Sequence, residues 1–534
     1  MIRRISITLL VQAIIICVSG ISFAGISPNY RIYPSNITQT ETFIVTHPFN
    51  SNIMFSSANT INLSNGFISE GIYITTNAGQ SWFGSDSCKG SPVNFHRGDP
   101  AITIDKNGRF IITRLGFSPG LFSHYSTDNG VTWSGQRTLS LDDQDRGSLV
   151  SDIVPSSAFY GRTYASWVKL GNPFPVNMSY SDDGGATWVS QFQVNNPIQR
   201  SQGAEVTIGP NGEVYITWAG VIPNSPFTED FVGFAKSTNG GQNWIVTENA
   251  FDINGIQGIL SEKSNIRVNG LPKITVDFSN GVRHGWIYIV TTQKNLSPAG
   301  SDPDVIFYKS SDGGATWSSG IRVNQDPLNN GKIQYFPAIH VDDDGGINVI
   351  YYDDRNTTSD STGVFLSRSM DGGDTWNDFQ ISDANFKPVA IGGLGQGYQG
   401  DNIDLTTSGN ILWPLWMDNR SGIYQIWTVP INLDDVSVEK LSGELPDGYS
   451  LSQNFPNPFN PNTKIVFEVP NSNDNISLVV FDAVGRKVST LVDQSMKPGK
   501  YSVVFNGNDL PSGIYFYNLS SGEISITKKM ILVK

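Results

Sequence analysis

Arginines, acidic residues and tyrosines recur in short irregular stretches of this chain. Arg97 and Asp99 stand in His96-Arg-Gly-Asp-Pro100. Asp142, Asp143, Asp145 and Arg146 follow, then Arg200, Tyr335, and Tyr398 with Asp401. Asp302 and Asp304 form another group, and Asp353-Asp-Arg355 and Asp418-Asn-Arg420 repeat one Asp-x-Arg pattern. Glu205 lies early in an apolar-alternating stretch. Guanidinium forks grip carboxylates bidentately, and carboxyls near a bound substrate can trade protons with it. The same Asp-x-Arg pairs also suit salt bridges between packed units or a turn brace, and Asp99 before Pro100 suits a turn cap. Asp342-Asp-Asp344 offers the hard oxygens that calcium takes, but without the spacing of an EF-hand loop, so a solvated acidic turn is the plainer reading. The five histidines (His47, His96, His124, His284, His340) show no ligand spacing, and Cys88 sits in a Gly/Ser-rich loop. There is no HExxH, nucleophile elbow or phosphate loop. No metal or cofactor is assigned, and calcium is the one cation left open.

The elements that must hold these residues are announced by a repeat. An eight-residue phrase, Ser/Thr-x-Asp/Asn-x-Gly-x-Thr/Ser-Trp, occurs six times: Thr75 to Trp82, Ser126 to Trp133, Ser181 to Trp188, Ser237 to Trp244, Ser310 to Trp317 and Ser369 to Trp376. The fourth copy departs at Asn243. The Asp or Asn side chain can fold back on nearby N–H groups, Gly takes a positive φ, and Trp plugs an apolar seam. Upstream of each phrase runs a strand–turn–strand hairpin marked by Asn-Gly, Asp-Gly or Ser-Gly, as in Ala101 to Ile112 and Val206 to Trp218. Seven hairpins accompany six phrases, and a further strand follows most phrases. One unit is therefore four strands, and units that recur at this spacing stack into an array that buries a shared core. The seventh unit lacks its fourth strand, and Tyr30-Arg-Ile-Tyr33 has the character to supply it beside Ile423 to Val429. The expectation is an all-β fold: a seven-bladed β-propeller, with six blades as the alternative, followed by a small immunoglobulin-like β-sandwich. The phrases and hairpin turns share one face of the disc. The loops that carry the charged residues share the other, at the mouth of the central channel.

The chain has 534 residues, which calls for more than one domain. Residues 1–24 read as a secretory signal, with Arg3 and Arg4, an apolar run and Ser22-Phe-Ala24. Cys88 alone then remains, so no internal disulfide is expected. A net charge of −13 argues against nucleic acid and anionic membranes as partners. No later stretch is long and apolar enough to span a bilayer. The domains read as propeller at 25–432, linker at 433–448 and sandwich at 449–534, and a monomer is expected.

Two resemblances refine this reading. The six phrases are Asp-boxes, also called BNR repeats, and the chain resembles sialidase-type propellers, in which the box braces each blade away from the active site. The resemblance implies Arg97, Arg355 and Arg420 as a clamp on a sugar carboxylate. It further implies Tyr398 or Tyr335 as nucleophile, Glu205 as its base and Asp99 or Asp145 as general acid, the tyrosine being an exception among glycosidases. The family's Phe/Tyr-Arg-Ile-Pro motif meets Tyr30-Arg31-Ile32-Tyr33-Pro34 here, where Tyr33 interrupts it. Residues 449–534, from Gln453-Asn-Phe-Pro-Asn-Pro-Phe-Asn-Pro461 to Thr527-Lys-Lys-Met530 and Lys534, resemble the type A sorting domain of the type IX secretion system. This implies a partnership with that machinery, export across an outer membrane, and display on the cell surface or release. The functional expectation is a propeller that binds glycan or protein ligands at the channel mouth without turnover, a glycan or glycoprotein being the expected partner. The alternative is an exo-α-sialidase or related hydrolase of terminal acidic sugars.

Overall fold

The computed structural model describes residues 28–534, apart from 118, 261–262, 264–265, 359, 392–396, 434–435, 437, 443–445, 472–473, 497 and 508–509. The expected signal segment, 1–24, lies outside the described residues. Seven antiparallel sheets follow one another between Tyr30 and Asn432. Their first strands are Thr38–Thr46, Ala101–Ile104, Ser148–Ser151, Arg200–Ile208, Lys273–Val276, Gln334–Val341 and Asp404–Ser408. Each first strand touches those of the sheets before and after it, and the last touches the first, so they form a closed inner ring. The seventh sheet is completed from the other end of the chain. Tyr30 pairs with Thr428 and Arg31 with Trp427, and Ile32 N–H donates to the Ile426 carbonyl at 3.2 Å. Closure removes the open edges that a row of sheets would otherwise present.

Apolar residues on the two faces of each strand meet those of the neighbouring sheets. Phe55 and Ile74 of the first sheet pack with Ile104, Phe110 and Ile112 of the second. Each such side chain, fully removed from water, contributes about 1.5–3 kcal/mol, and this repeated seam holds the ring without disulfides. The six eight-residue phrases all join the third and fourth strands of their sheets. In each, the first hydroxyl accepts from the Gly N–H at 2.8–2.9 Å and donates to the Asp or Asn Oδ1 at 2.8–3.0 Å. The Gly has φ between 75° and 88°, and a Cβ there would strike the preceding sheet: Trp413, Ile74, Ile111, Met178, Phe234 and Phe307 in turn. Glycine is thus required for conformation and for close approach together. The phrases rest on the hairpin turns of the preceding sheets, as where Arg109 Nη1 donates to the Gly184 carbonyl (3.0 Å) and Arg162 Nη1 to that of Gly240 (2.9 Å). Turns and phrases therefore share a face.

An insertion that the sequence pattern did not announce, Gly258–Leu260 paired with Ile266–Val268, precedes the fifth sheet. The C-terminal domain is a sandwich of two four-stranded sheets around Ile465, Phe467, Leu478, Val480, Tyr517 and Met530. Its first strand, Val438–Ser442, pairs with Gly499–Asn506. The stretch read from sequence as a linker, 433–448, thus contributes a strand to this sandwich.

Candidate functional site

Each first strand runs from its entering loop toward the face of the phrases, so its start lies at the opposite face. There a cavity of about 520 Å³ is lined from all seven sheets. Thr40 and Glu41 come from the first sheet, Arg97 and Asp99 from the loop into the second, and Asp143 to Arg146 from the loop into the third. Arg200 and Gln202, Arg267 to Lys273, Phe336, and Tyr398 with Asp401 and Asn402 complete it. Three of the long inner strands bulge where they meet the cavity. Pairing shifts register between Thr40 and Phe43, Gln202 and Glu205, and Tyr335 and Ala338. The bulges place Glu41 (φ 56°), Gly203 (φ 66°) and Phe336 (φ 51°) in the left-handed region, and all three line the cavity. Asp99, just before the second inner strand, has φ 54°. A bulge re-aims side chains out of the sheet alternation. Left-handed backbone at Glu41, Asp99 and Phe336 costs about 1–3 kcal/mol each, strain that concentrates at working sites.

The electrostatics are set by paired charges behind the lining and freer ones in front. Glu205 stands at the back, its Oε1 2.6 Å from both Arg146 Nη2 and Lys273 Nζ, with Ser148 Oγ donating to Oε2 at 3.0 Å. Burial alone would push this carboxyl up, but Lys273 and Arg146 together bring it down to about 2. Glu41 behaves oppositely: burial, then Asp401 and Asp99, raise it well above the usual carboxylate range. Burial likewise pushes Asp99 up to about 6. Asn59 Nδ2 bridges the two, at 2.8 Å from Glu41 Oε2 and 3.1 Å from Asp99 Oδ1. Asn269 Nδ2 donates to Asp401 Oδ2 at 2.7 Å. The Tyr398 phenol is raised by burial and then by Asp401, and its ring carries the Arg267 guanidinium 4.3 Å from its centroid. Arg97 is exposed, and its guanidinium makes no hydrogen bond or ion pair among the described residues. The cavity thus holds carboxyls whose proton affinity is raised beside a guanidinium free to take an anion.

Of the residues picked from sequence, Arg97, Asp99, Asp143, Asp145, Arg146, Arg200, Tyr398 and Asp401 meet in this cavity. Glu205 is held behind it as an ionised counter-charge to Arg146 and Lys273, so it is not poised to deprotonate a tyrosine. Tyr335 is fully buried against Phe336 and Tyr352, and burial raises its phenol well above the ordinary range, so it is core and no nucleophile. Arg355 and Arg420 do not join Arg97, and the three-arginine clamp does not assemble. Arg355 ion-pairs with Asp353 (2.6 Å) and Asp378 and lies over Phe365; Arg420 pairs with Asp418 (2.7 Å) and Asp383 and lies over Trp427. The repeated Asp-x-Arg pattern is a brace, because each fork is already filled by carboxylates of its own sheet surroundings. Arg31 lies in the closing strand, over Trp427. Asp342, the calcium candidate, is buried and binds Arg368, Asn348 and the N–H groups of its own turn. Sequence reasoning missed Glu41, Lys273 and Arg267, of which the last sits on the unannounced insertion. Outside the cavity, Cys88, His96 and His124 come together.

No curated protein matches the chain in sequence. Among solved structures, one similar to it is an ulvan lyase of polysaccharide lyase family PL25, bound to -[GlcA(1-4)Rha3S]-. That likeness has a TM-score of 0.50 and 11% identity, and covers 76% of this chain and 96% of that one. A leech intramolecular trans-sialidase (TM-score 0.41, 11% identity, 68% of this chain and 71% of that one) and a Penicillium chrysogenum α-L-arabinanase (0.41, 12%, 64% and 98%) are also similar. At these identities the likeness concerns the fold alone, an all-β propeller. No helix among the described residues is long and apolar enough to cross a membrane. Residues 453–534 match the secretion system C-terminal sorting domain; through it the protein engages the type IX secretion machinery and is exported to the cell surface or the extracellular space.

Proposed function

We propose that this secreted propeller binds an acidic glycan in its central cavity, with Arg97 holding the sugar's anionic group. The observation that carries this reading is the exposed Arg97 guanidinium, which makes no hydrogen bond or ion pair among the described residues, beside two carboxyls, Glu41 and Asp99, whose proton affinity burial raises. A carboxyl of raised proton affinity repels a nearby anion less than an ordinary carboxylate, and can donate to a sugar hydroxyl when it holds its proton. Apolar and aromatic walls from Ile61, Leu271, Phe336 and Tyr398 suit the C–H faces of a sugar ring. A glycan array probed with wild type and Arg97→Ala tests it: the proposal requires binding to uronic- or sialic-acid-bearing glycans that is lost in the variant. Equal binding by both proteins would refute it.

A second reading, cleavage of terminal acidic sugars, rests on the same raised carboxyls, since a general acid must hold its proton at working pH. Glu41 is then the proton donor. Release of product from a fluorogenic sialoside, measured for wild type and Glu41→Gln, separates turnover from binding.

A further inference from the structure

Cys88 and His96 lie on the segment that leads into the second sheet and His124 on that sheet's third strand, and the fold brings one ligand atom of each within 4.8 Å of the others. All three side chains are buried, and the two imidazole centroids are 5.4 Å apart. The neighbours fix how each ring can act. His96 Nδ1 is taken by Glu70, which also accepts from Gly98 N–H at 2.8 Å. His96 Nε2 is left buried with no hydrogen-bond partner among the described residues. His124 Nδ1 lies 3.0 Å from the Ser134 carbonyl and so carries the proton, which leaves Nε2 as a lone pair facing Arg114 Nε at 3.1 Å. Two imidazole lone pairs and a thiol, all buried, form a ligand set, and the Glu70–His96 contact is the carboxylate–imidazole pairing that orients metal-binding histidines. A buried ring nitrogen with no partner is destabilising, and a bound cation would satisfy it.

We propose that Cys88, His96 and His124 form a metal site for a thiophilic d¹⁰ cation. Thiolate plus two imidazoles is the donor set that selects copper(I) or zinc(II) over magnesium or calcium. On binding, the thiol proton leaves to solvent and a metal–sulfur bond replaces the S–H bond. No oxidant or reductant is consumed. His124 Nε2 gives up its contact with Arg114, which retains the Leu115 carbonyl (3.2 Å) and Gln136 Oε1 (2.6 Å). The charge inventory favours the monovalent ion: thiolate and Glu70 are each −1 and Arg114 is +1, so copper(I) leaves the buried group neutral while zinc(II) leaves it +1. Position gives the site a role. His96 directly precedes Arg97 and Asp99, so the metal pins the loop that presents both residues to the cavity.

The test uses the full mature chain, stripped of metal and then exposed under anaerobic conditions to copper(I) or, separately, to zinc(II). After desalting, metal per chain is counted by mass spectrometry, and thiolate-to-metal charge transfer is followed by absorption. One copper(I) per chain is expected, held at least about tenfold tighter than zinc(II) (~1.4 kcal/mol), with retention abolished in Cys88→Ser and His96→Gln. X-ray absorption of the loaded wild type, which needs no variant to fold, should show one sulfur and two nitrogen neighbours. Retention of neither metal, undiminished retention in folded Cys88→Ser, or an absorption spectrum without a sulfur neighbour would overturn the site. Zinc held tighter than copper would uphold the site and overturn the charge argument.

Discussion

Arg355→Ala separates a brace from a ligand-binding group. Arg355 is 13% exposed, Asp353 is fully buried and Asp378 is 9% exposed, so removing the guanidinium strands two carboxyls in a poorly solvated place. Breaking a buried pair from one side costs about 3–5 kcal/mol. The lower end applies here, because burial already pushes Asp353 up to about 6, even with Arg355 beside it. Without Arg355 that carboxyl moves further up, so taking a proton relieves the stranded charge more easily as the pH falls. The expected loss is therefore about 3 kcal/mol at pH 8 and less at pH 5. Over roughly four hundred propeller residues, at roughly 2 cal/mol/K per residue, this is a fall of about 4 °C in Tm. Thermal unfolding at the two pH values gives the magnitude, and glycan binding by the folded variant gives the function. Unchanged Tm with binding lost would show that Arg355 is a ligand group and that the filled-fork argument is wrong.

Three further outcomes follow from other parts of the fold. Ile32→Ala, at a 3% exposed position of the closing strand, should cost about 3 kcal/mol by chemical denaturation and promote concentration-dependent association through the loosened edge. Asp183→Ala removes acceptors for Ser181, Thr187 N–H and Thr187 Oγ, and should cost about 1 kcal/mol at this solvent-facing turn, as loss of a cap does, without affecting binding. Burial pushes Asp404 up to about 7, against an unfolded value of about 4. The folded state then binds the extra proton between those values, so this group's contribution is complete below pH 4 and is lost as pH rises to about 7. Asp404→Asn should flatten that part of the stability profile, and an unchanged slope would contradict it.

Local chemistry made the ring readable. The Ser/Thr, Asp/Asn, Gly and Trp of each phrase satisfy one another within eight residues, so their types alone announce the turn. The closing strand was legible for a related reason: Tyr30 to Tyr33 resembles the strands that follow each phrase, and only the seventh sheet lacked one. The cavity was half legible. Arg97, Asp99, Asp145 and Tyr398 follow from loop position once the two faces are known. Arg355 and Arg420 misled because Asp-x-Arg reads the same whether the fork is open or already filled, and the filling carboxylates, Asp378 and Asp383, come from elsewhere in the chain. Glu41 left no signal, since its exposure to the cavity depends on a bulge at a non-glycine residue. Cys88, His96 and His124 escaped because their proximity is a product of the fold, with His124 on a strand and the other two on the crossover before it.

The most direct test of the central claim is a crystal structure of the protein soaked with an oligosaccharide bearing a terminal acidic sugar. The account predicts density in the central cavity, with the sugar's anionic group on Arg97 and its hydroxyls within hydrogen-bonding reach of Glu41 or Asp99. Density instead at the tryptophan-tipped face or on the C-terminal sandwich, with the cavity showing none, would contradict it.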